Sequence, residues 1–164
     1  MLFRSFVEMV CETARWVKAS GFGKLLIVNA HGGNPAPLRV AVDEIRRAGQ
    51  LQVGCVHWFD LTPQIDGWVT QDAADWHANR AETSLMRYLR PDLIDESAVI
   101  DDPDRTVGKV FSYPVNQTSV DGLTGTPSEG TAAEGEEIFA AVVDALVDVI
   151  GRARAEDYPD LTAG

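Results

Sequence analysis

A strand–helix–strand pattern over residues 24–59 constrains the fold of this chain more than any other feature. Residues 24–29 (KLLIVN) form a short, continuously apolar run, which is typical of a strand buried on both faces. A polar turn follows, and then a helix in which Asn34 is expected to be the N-cap and Pro35 the first residue. Residues 51–59 (LQVGCVHWF) repeat the strand pattern. Two such strands joined by a helix form a parallel crossover, so the sequence predicts an α/β fold with a mainly parallel sheet.

Further helices are predicted before and after this unit in the chain. Apolar side chains recur at helical spacing in residues 6–20 and 131–150, and a further helix is predicted over 80–89, before Pro91. The last of these helices opens with Thr131-Ala-Ala-Glu134, which has the capping-box pattern. Together with the strands, these segments are long enough to enclose a hydrophobic core.

The remaining segments are expected to be irregular. Residues 60–78 are predicted as a loop, and residues 101–130 are rich in Gly, Pro, Asp and Thr, with one candidate strand at 109–113 (KVFSY). The chain of 164 residues contains no repeat and no linker. It therefore predicts a single domain over residues 1–164, with 152–164 as a polar tail.

Composition argues against several classes of protein. There are 14 basic and 25 acidic residues, and the net charge of −11 disfavours nucleic acid and anionic membrane surfaces as partners. No apolar run reaches the ~20 residues that span a bilayer. Two cysteines, Cys11 and Cys55, are too few for a disulfide framework or a four-thiolate metal site. We expect both to be buried thiols in a cytoplasmic protein.

The first candidate site is the turn after the first strand, Asn29-Ala-His31-Gly-Gly-Asn34. Its histidine follows the carboxyl end of the strand, where open α/β sheets bind their ligands. Gly32 and Gly33 allow close backbone approach, and the N–H groups that begin the next helix favour an anion or a carbonyl oxygen. The alternative is that His31 is a polar loop residue and the glycines only form a turn.

The second candidate site is His77-Ala-Asn-Arg-Ala-Glu82. If a helix begins near Asn79, Glu82 lies in its first turn and His77 just before it. Imidazole and carboxylate could then converge as metal ligand and base, or as an acid/base pair. The alternative is structural, because Asn79-x-x-Glu82 resembles a capping box. Trp76, next to His77, is expected at a pocket wall.

The other polar candidates are weaker. His57 lies inside the second strand and is expected to bond to backbone rather than to act as a ligand. Asp60 and Asp72 are candidate carboxylate ligands in a loop. No G-x-S-x-G elbow, Walker loop or G-x-G-x-x-G is present, which disfavours a serine hydrolase or a nucleotide-binding module.

Together, the two histidine motifs resemble the creatininase family, creatinine amidohydrolase and its relatives. LLIVNAHGGN follows the first helix, and about 45 residues later HANRAETS leads into LMRYLRPDLI. Members of the family typically show N-G-H-G-G-N after a strand and H-A-G-x-x-E-T-S before a helix that ends at a proline. The resemblance covers residues 6–100, and the helix over 131–150 fits the family's last helix.

The resemblance implies a three-layer α/β/α sandwich, a site for two divalent metals (Zn, Mn or Fe), a hexamer, and hydrolysis of a C–N bond in a cyclic or linear amide. A small, cyclic amide is the first candidate substrate, and a formamide or a peptide is the alternative. By resemblance, His31 would be a metal ligand, His77 the acid/base residue, and Glu82 a catalytic, metal-proximal carboxylate. The residues that would shape the metal loop and substrate pocket are Asn29, Gly32, Gly33, Asn34 and Trp76.

The chain also departs from the family pattern. Ala30 and Asn79 replace glycines, and Gly33 stands where creatinine hydrolases carry a ligand Glu, which speaks against creatinine as substrate. The family's upstream E-x-H and bridging Asp have no counterpart, so the sequence is expected to correspond to the C-terminal two-thirds of the family domain. We therefore expect the chain alone to bind metal poorly and to be weakly active. The alternatives are an inosose-type hydrolase of a cyclic sugar ketone, or a truncated, non-catalytic α/β subunit.

Overall fold

The computed structural model describes residues 3–49 and 51–159. The chain divides into two compact units, Met1–Asp60 with Leu146–Gly164, and Leu61–Ala145. The helices are α1 (Phe3–Ala19), α2 (Pro35–Arg47), α3 (Pro63–Thr70), α4 (Arg80–Leu89), α5 (Val115–Thr118) and α6 (Ala132–Ala155), and the strands are β1 (Lys24–Asn29) and β2 (Gln52–His57). Single 3-10 turns cover Trp58–Asp60, Pro91–Leu93 and Pro127–Glu129. The single-domain organisation over residues 1–164 stays a prediction.

The first unit contains the predicted strand–helix–strand. β1 and β2 pair in parallel, with a register that runs from Lys24 opposite Gln52 to Asn29 opposite His57. The strand pattern over 51–59 is therefore confirmed, but β2 ends two residues early because a 3-10 turn begins at Trp58. Since the strands are parallel and in register, their carboxyl ends lie side by side.

Helices α1 and α2 pack together over one face of the sheet. Side chains alternate between the two faces of a strand, and those of Leu25 and Val53 contact the core that the two helices form. On the other face, Leu26 and Gly54 line a cavity of about 210 Å³ with the C-terminal turns of α6. This unit thus has the predicted α/β/α layering. The buried core residues are Val7, Cys11, Ala14, Ala41, Ile45 and Leu51.

In the second unit, helix α3 replaces part of the loop predicted over 60–78. Its N-cap is Thr62, whose side chain accepts a hydrogen bond from the Ile65 N–H at 3.2 Å, and a proline occupies the first turn. Ile65 and Val69, one turn apart, are buried. The Thr-Pro start and this apolar pair are the sequence signal for the helix.

The strand predicted at 109–113 is wrong. Residues 106–109 form a turn in which Gly108 has a φ of +73° and the Lys109 N–H donates to Thr106 O. After it, Val110 and Phe111 are 91% and 76% exposed, with no neighbouring strand to pair with. Across the described ranges, β1 and β2 are the only strands.

Helix α6 extends further than predicted and begins with half of a capping box. Thr131 Oγ1 accepts from the Glu134 N–H at 3.1 Å, but the Glu134 carboxylate bonds to Arg80 and Ser84 instead of returning to Thr131. The helix continues through Ala155, so it includes the first residues of the predicted polar tail. Residues 160–164 of that tail lie outside the described residues. None of the helices described is both long and apolar enough to cross a bilayer.

Candidate functional site

The loop after β1 is organised by the amide of Asn29, a buried residue at the end of the strand. Its Oδ1 accepts from the His31 N–H at 3.2 Å and from Asn34 Nδ2 at 3.3 Å, while its Nδ2 donates to His31 O at 2.9 Å. Asn34 occupies the N-cap position of α2 with Pro35 next, as predicted, but its side chain makes no cap bond to the helix. Its amide contributes to the loop instead, because Asn29 lies within reach across the turn.

The His31 imidazole is exposed and lies against Gly33. A Cβ built on Gly33 would lie 2.8 Å from His31 Nε2, closer than real Cβ contacts. The observed position of the ring therefore requires glycine at position 33. Gly32, the other glycine of the turn, is exposed.

His57, at the end of β2, bonds to a side chain rather than to backbone as predicted. Its Nδ1 lies 3.0 Å from Asn29 Nδ2, because the sheet register places the two residues opposite one another. Its ring stacks on Phe59 with centroids 5.2 Å apart. With Cys55 and Arg39, His57 lines a cavity of about 490 Å³ at the edge of α2.

Of the two cysteines predicted to be buried, Cys11 is buried but Cys55 is only half-buried. Burial and the nearby Asp60 carboxylate raise the pKa of the Cys55 thiol, and burial and Glu44 raise that of Cys11. Because the thiolate is the reactive form, neither sulfur is activated.

In the second unit, His77 is exposed and held by its backbone. It forms an isolated antiparallel bridge with Thr124, whose N–H donates to His77 O at 2.8 Å. The next residue, Ala78, has a φ of +47°, a left-handed conformation that costs free energy for alanine. Such strained positions persist only where surrounding contacts fix them, and they cluster at functional sites. Trp76 is half-buried beside this turn.

Glu82 closes the turn that follows His77. Asn79 is the N-cap of α4 and accepts from the Glu82 N–H at 3.2 Å, while Glu82 Oε2 accepts from the Ala78 N–H at 2.6 Å. Asn79 therefore caps α4 as the structural alternative expects, but Glu82 bonds to the N–H before the cap rather than to the Asn79 N–H, and a functional role of Glu82 stays a prediction. One carboxylate oxygen of Glu82 is already engaged by backbone.

Asp72, a candidate ligand by sequence, is a structural link. Its carboxylate accepts from Asn79 Nδ2 at 2.7 Å and from the N–H groups of Arg80 at 3.0 Å and Thr126 at 2.7 Å. Gly125 leaves room for it, since a Cβ there would lie 2.3 Å from Asp72 Oδ2. Asp72 thereby ties the end of α3, the start of α4 and the 124–126 segment together. The spacing of these residues in the sequence did not indicate that Asp72 contacts them.

Ser84 and Glu134 form a second link that sequence reasoning missed. Ser84 is fully buried, donates to Glu134 Oε2 at 2.7 Å and accepts from the Thr131 N–H at 3.0 Å. Arg80 Nε contacts the same carboxylate at 3.0 Å. Burial acts to raise the pKa of Glu134, but the hydrogen bonds from Arg80 and Ser84 lower it below its ordinary value. Ser84, the last residue of HANRAETS, thus links α4 to the start of α6.

The predicted site residues fall into two groups. Asn29, His31 and Asn34 belong to the first unit, whereas His77 and Glu82 belong to the second. Convergence of the two groups in one cavity stays a prediction. Within residues 3–49 and 51–159, no cluster of three or more His, Cys, Asp or Glu side chains could hold a metal ion. As they stand, the described residues do not make up a complete metal centre.

These features define an α/β protein with histidine-bearing turns next to a parallel strand and a helix start. A family model described as creatinine amidohydrolase matches residues 3–150. The chain therefore belongs to the creatininase family.

Curated relatives include two kinds of enzyme. The mycofactocin precursor peptide peptidase of Mycolicibacterium smegmatis is 33% identical, over 89% of this chain and 54% of that protein. The creatinine amidohydrolase of Pseudomonas putida is 26% identical, over 93% of this chain and 61% of that protein. The chain thus spans about half to three-fifths of the length of these relatives.

Solved structures confirm the creatininase-like α/β fold. A Bacteroides fragilis protein designated a creatinine amidohydrolase aligns with a TM-score of 0.80 at 22% identity, over 98% of this chain and 65% of that one. A mutant creatininase of Zn-Zn type has a TM-score of 0.75 at 25% identity, over 97% and 66%. A creatininase designated Mn has a TM-score of 0.73 at 26% identity, also over 97% and 66%.

Proposed function

We propose that this chain forms the histidine-bearing part of a hydrolase that cleaves the C–N bond of an amide. The observation that carries the proposal is the exposed imidazole of His77, held ahead of α4 by the bridge to Thr124 and by the left-handed Ala78. Membership of the creatininase family supports the same chemistry.

His77 has the chemistry that amide hydrolysis requires. An imidazole changes charge in the range near neutral pH, so it can transfer a proton to the leaving nitrogen. It can also donate a hydrogen bond to the oxyanion that develops on the carbonyl oxygen. Because its position is set by backbone contacts, the ring itself is left to face the substrate.

Metal dependence is part of the proposal and is supported by the relatives of Zn-Zn and Mn type. His31 is the proposed ligand, and Glu82 the proposed metal-proximal carboxylate. A catalytic zinc ion usually has three protein ligands. Since Glu82 Oε2 already bonds to Ala78, we expect this chain alone to bind metal weakly.

The proposed substrate is a small amide, with a cyclic amide as the first candidate. A peptide is the second candidate, favoured by the 33% identity to a precursor peptide peptidase against 26% to a creatinine amidohydrolase. Gly33 also favours the peptide over creatinine, because it stands where creatinine hydrolases carry a ligand Glu. The His31 ring occupies the space that a side chain at position 33 would need. The loop thus carries no carboxylate two residues after its histidine.

Turnover assays on the full chain test the proposal. Creatinine, a second cyclic amide and a short peptide are incubated at high protein concentration with excess Zn²⁺ or Mn²⁺. We expect slow hydrolysis of at least one substrate. His77→Gln should lower kcat at least 100-fold, the range typical of a lost general acid or base.

Asp121→Asn, an exposed change in the same unit, is the control and should retain the parental rate. If no substrate is hydrolysed above the buffer rate, or if His77→Gln is as active as the parent, the hydrolase proposal is wrong. A non-catalytic subunit would then be the better account.

We also propose a homo-oligomer, with a hexamer expected from the family, and a cytoplasmic location. The net charge of −11 supports a small-molecule enzyme without nucleic-acid or membrane partners. Light scattering coupled to size exclusion measures the assembly directly. A monomer at micromolar concentration would contradict the oligomer.

A further inference from the structure

We infer that His57 is a positioning residue: its unprotonated Nδ1 fixes the amide of Asn29, and the amide in turn fixes the loop that carries His31. The inference rests on the proposed function only where it gives this loop a role in catalysis. The contacts themselves lie entirely within the first unit.

Every hydrogen-bonding position of the Asn29 side chain is used. Nδ2 has two hydrogens, one directed to His31 O at 2.9 Å and one to His57 Nδ1 at 3.0 Å. Oδ1 accepts from the His31 N–H at 3.2 Å and from Asn34 Nδ2 at 3.3 Å. Asn29 is only 3% exposed, so water cannot easily replace a lost partner.

The backbone of His31 determines which way the amide points. If the amide were rotated by 180°, Oδ1 would face the His31 carbonyl and Nδ2 would face the His31 N–H, and both contacts would be repulsive. The observed orientation leaves Nδ2 facing His57. Because Nδ2 can only donate, His57 Nδ1 must accept, and the proton of the neutral ring must sit on Nε2.

A proton on His57 Nδ1 would place two donors face to face. Asn29 would then have to rotate or move, and either change breaks its bonds to His31 and Asn34. The order of the loop therefore depends on a side-chain atom at position 57 that accepts from Asn29 Nδ2.

Several described groups lie close to His57. Phe59 stacks on the ring, and Arg39 of α2 and Cys55 of β2 line the same cavity. Asp60 lies three residues further along and acts on Cys55. The hydrogen bond with Asn29 is the contact that distinguishes the two ring nitrogens of His57.

Nitrogen NMR of the imidazoles tests the inference without measuring hydrolysis. The chain has three histidines, so the ring signals can be assigned by substitution. At pH 8 we expect His57 with Nδ1 unprotonated and Nε2 protonated. An Nδ1–H tautomer would overturn the inference.

Substitutions provide a second test through hydrogen exchange of the His31 N–H. His57→Leu removes the acceptor and should speed exchange at least 10-fold, whereas His57→Asn places a carbonyl oxygen near the position of Nδ1 and should restore protection. Cys55→Ser, two residues earlier on the same strand, is the control and should exchange like the parent.

Equal protection in the leucine variant and the parent would overturn the inference. Far-UV circular dichroism establishes that each variant is folded, and if His57→Leu is not, the tautomer of the parent protein decides. The two proposals can fail separately. Hydrolysis by a chain whose His57 carries its proton on Nδ1 would overturn this inference alone, and an Nε2–H tautomer in an inactive chain would overturn the proposed function alone.

Discussion

Gly135 of α6 lies directly against the backbone of Ser84 in α4. A Cβ on Gly135 would be 2.0 Å from the Ser84 carbonyl oxygen, and one on Gly130 would be 2.8 Å from Ser84 Oγ. At Gly135 the two helices therefore approach through backbone atoms. The hydrogen bonds from Ser84 to Glu134 and from Thr131 to Ser84 require this close approach.

Substitution of Gly135 by alanine should destabilise the protein. The added methyl group meets a backbone oxygen, which cannot rotate away, so α6 or α4 has to shift. Overpacking of this kind typically costs about 1–3 kcal/mol, and we expect the upper end of that range. Urea unfolding followed by circular dichroism measures the change.

Gly151→Ala is the matched control, since Gly151 lies in the same helix and a Cβ there meets nothing within 4 Å. It should be neutral or raise the free energy of unfolding by up to about 1 kcal/mol, because alanine is the better helix former. Equal effects of the two substitutions would show that α4 and α6 are not in backbone contact.

Glu134 should make stability depend on pH on the acid side. Its pKa in the folded chain lies below the ordinary value of 4.5, so its contribution is fully present above that value. The contribution is lost as the pH falls through the lower, folded pKa. We expect Glu134→Gln to be less stable than the parent at pH 7 and to lose less stability between pH 5 and pH 3.

Urea titrations across this range provide the measurement. Glu136→Gln, an exposed change in the same helix, should leave the acid dependence of the parent intact. If the parent and Glu134→Gln lose stability in parallel, the contacts with Arg80 and Ser84 do not act on the carboxylate.

Local sequence signals predicted several elements to the residue. β1 has the predicted bounds because its apolar run stops at Asn29, and α4 has them because Asn79 caps its start and Pro91 follows its end. The Asn79–Glu82 cap is also local, since both partners lie within one turn. Such features depend on neighbours in the chain, which the sequence displays directly.

Contacts between distant residues could not be predicted in the same way. Asn34 takes the predicted N-cap position, but its side chain bonds to Asn29 instead of capping the helix. The bond between Asn29 and His57 depends on the parallel register, and that between Ser84 and Glu134 on the glycine-lined approach of two helices. Sequence reasoning therefore identified the turns that carry the candidate residues but not the contacts that hold those turns.

Lys24 should stabilise the C-terminal end of α6. Its Nζ donates to the carbonyl oxygens of Ala153 at 3.1 Å and Arg154 at 3.0 Å, and also to that of Glu156. A cation at a helix C-terminus is favourable because the last carbonyls lack partners within the helix. Lys24→Met should lower the free energy of unfolding by roughly 1 kcal/mol and speed exchange of the amides near Ala155.

Lys109→Met, in an exposed loop, serves as the control and should change stability by less than about 0.5 kcal/mol. The same substitution of the two lysines thus separates loss of the cap from loss of a positive charge. An unchanged exchange rate in Lys24→Met would show that the lysine does not hold the helix end.

Metal uptake by the chain alone should be well below one ion per chain. The described residues offer no three-ligand cluster, and Glu82 is partly engaged by the Ala78 N–H. Two ligands rarely hold a catalytic zinc ion, so His31 should bind zinc or manganese only weakly. Equilibrium dialysis against Zn²⁺ and Mn²⁺, followed by elemental analysis, measures the stoichiometry.

The variant His31→Ala should remove most of the residual uptake, and Asp121→Asn should not. Near-stoichiometric metal in the parent, retained through dialysis, would contradict the prediction and would mean that the chain assembles a complete centre by itself. Uptake that is the same in His31→Ala and the parent would instead remove His31 from the list of ligands. In that case the HGG turn would be a structural loop, as the alternative interpretation of its sequence holds.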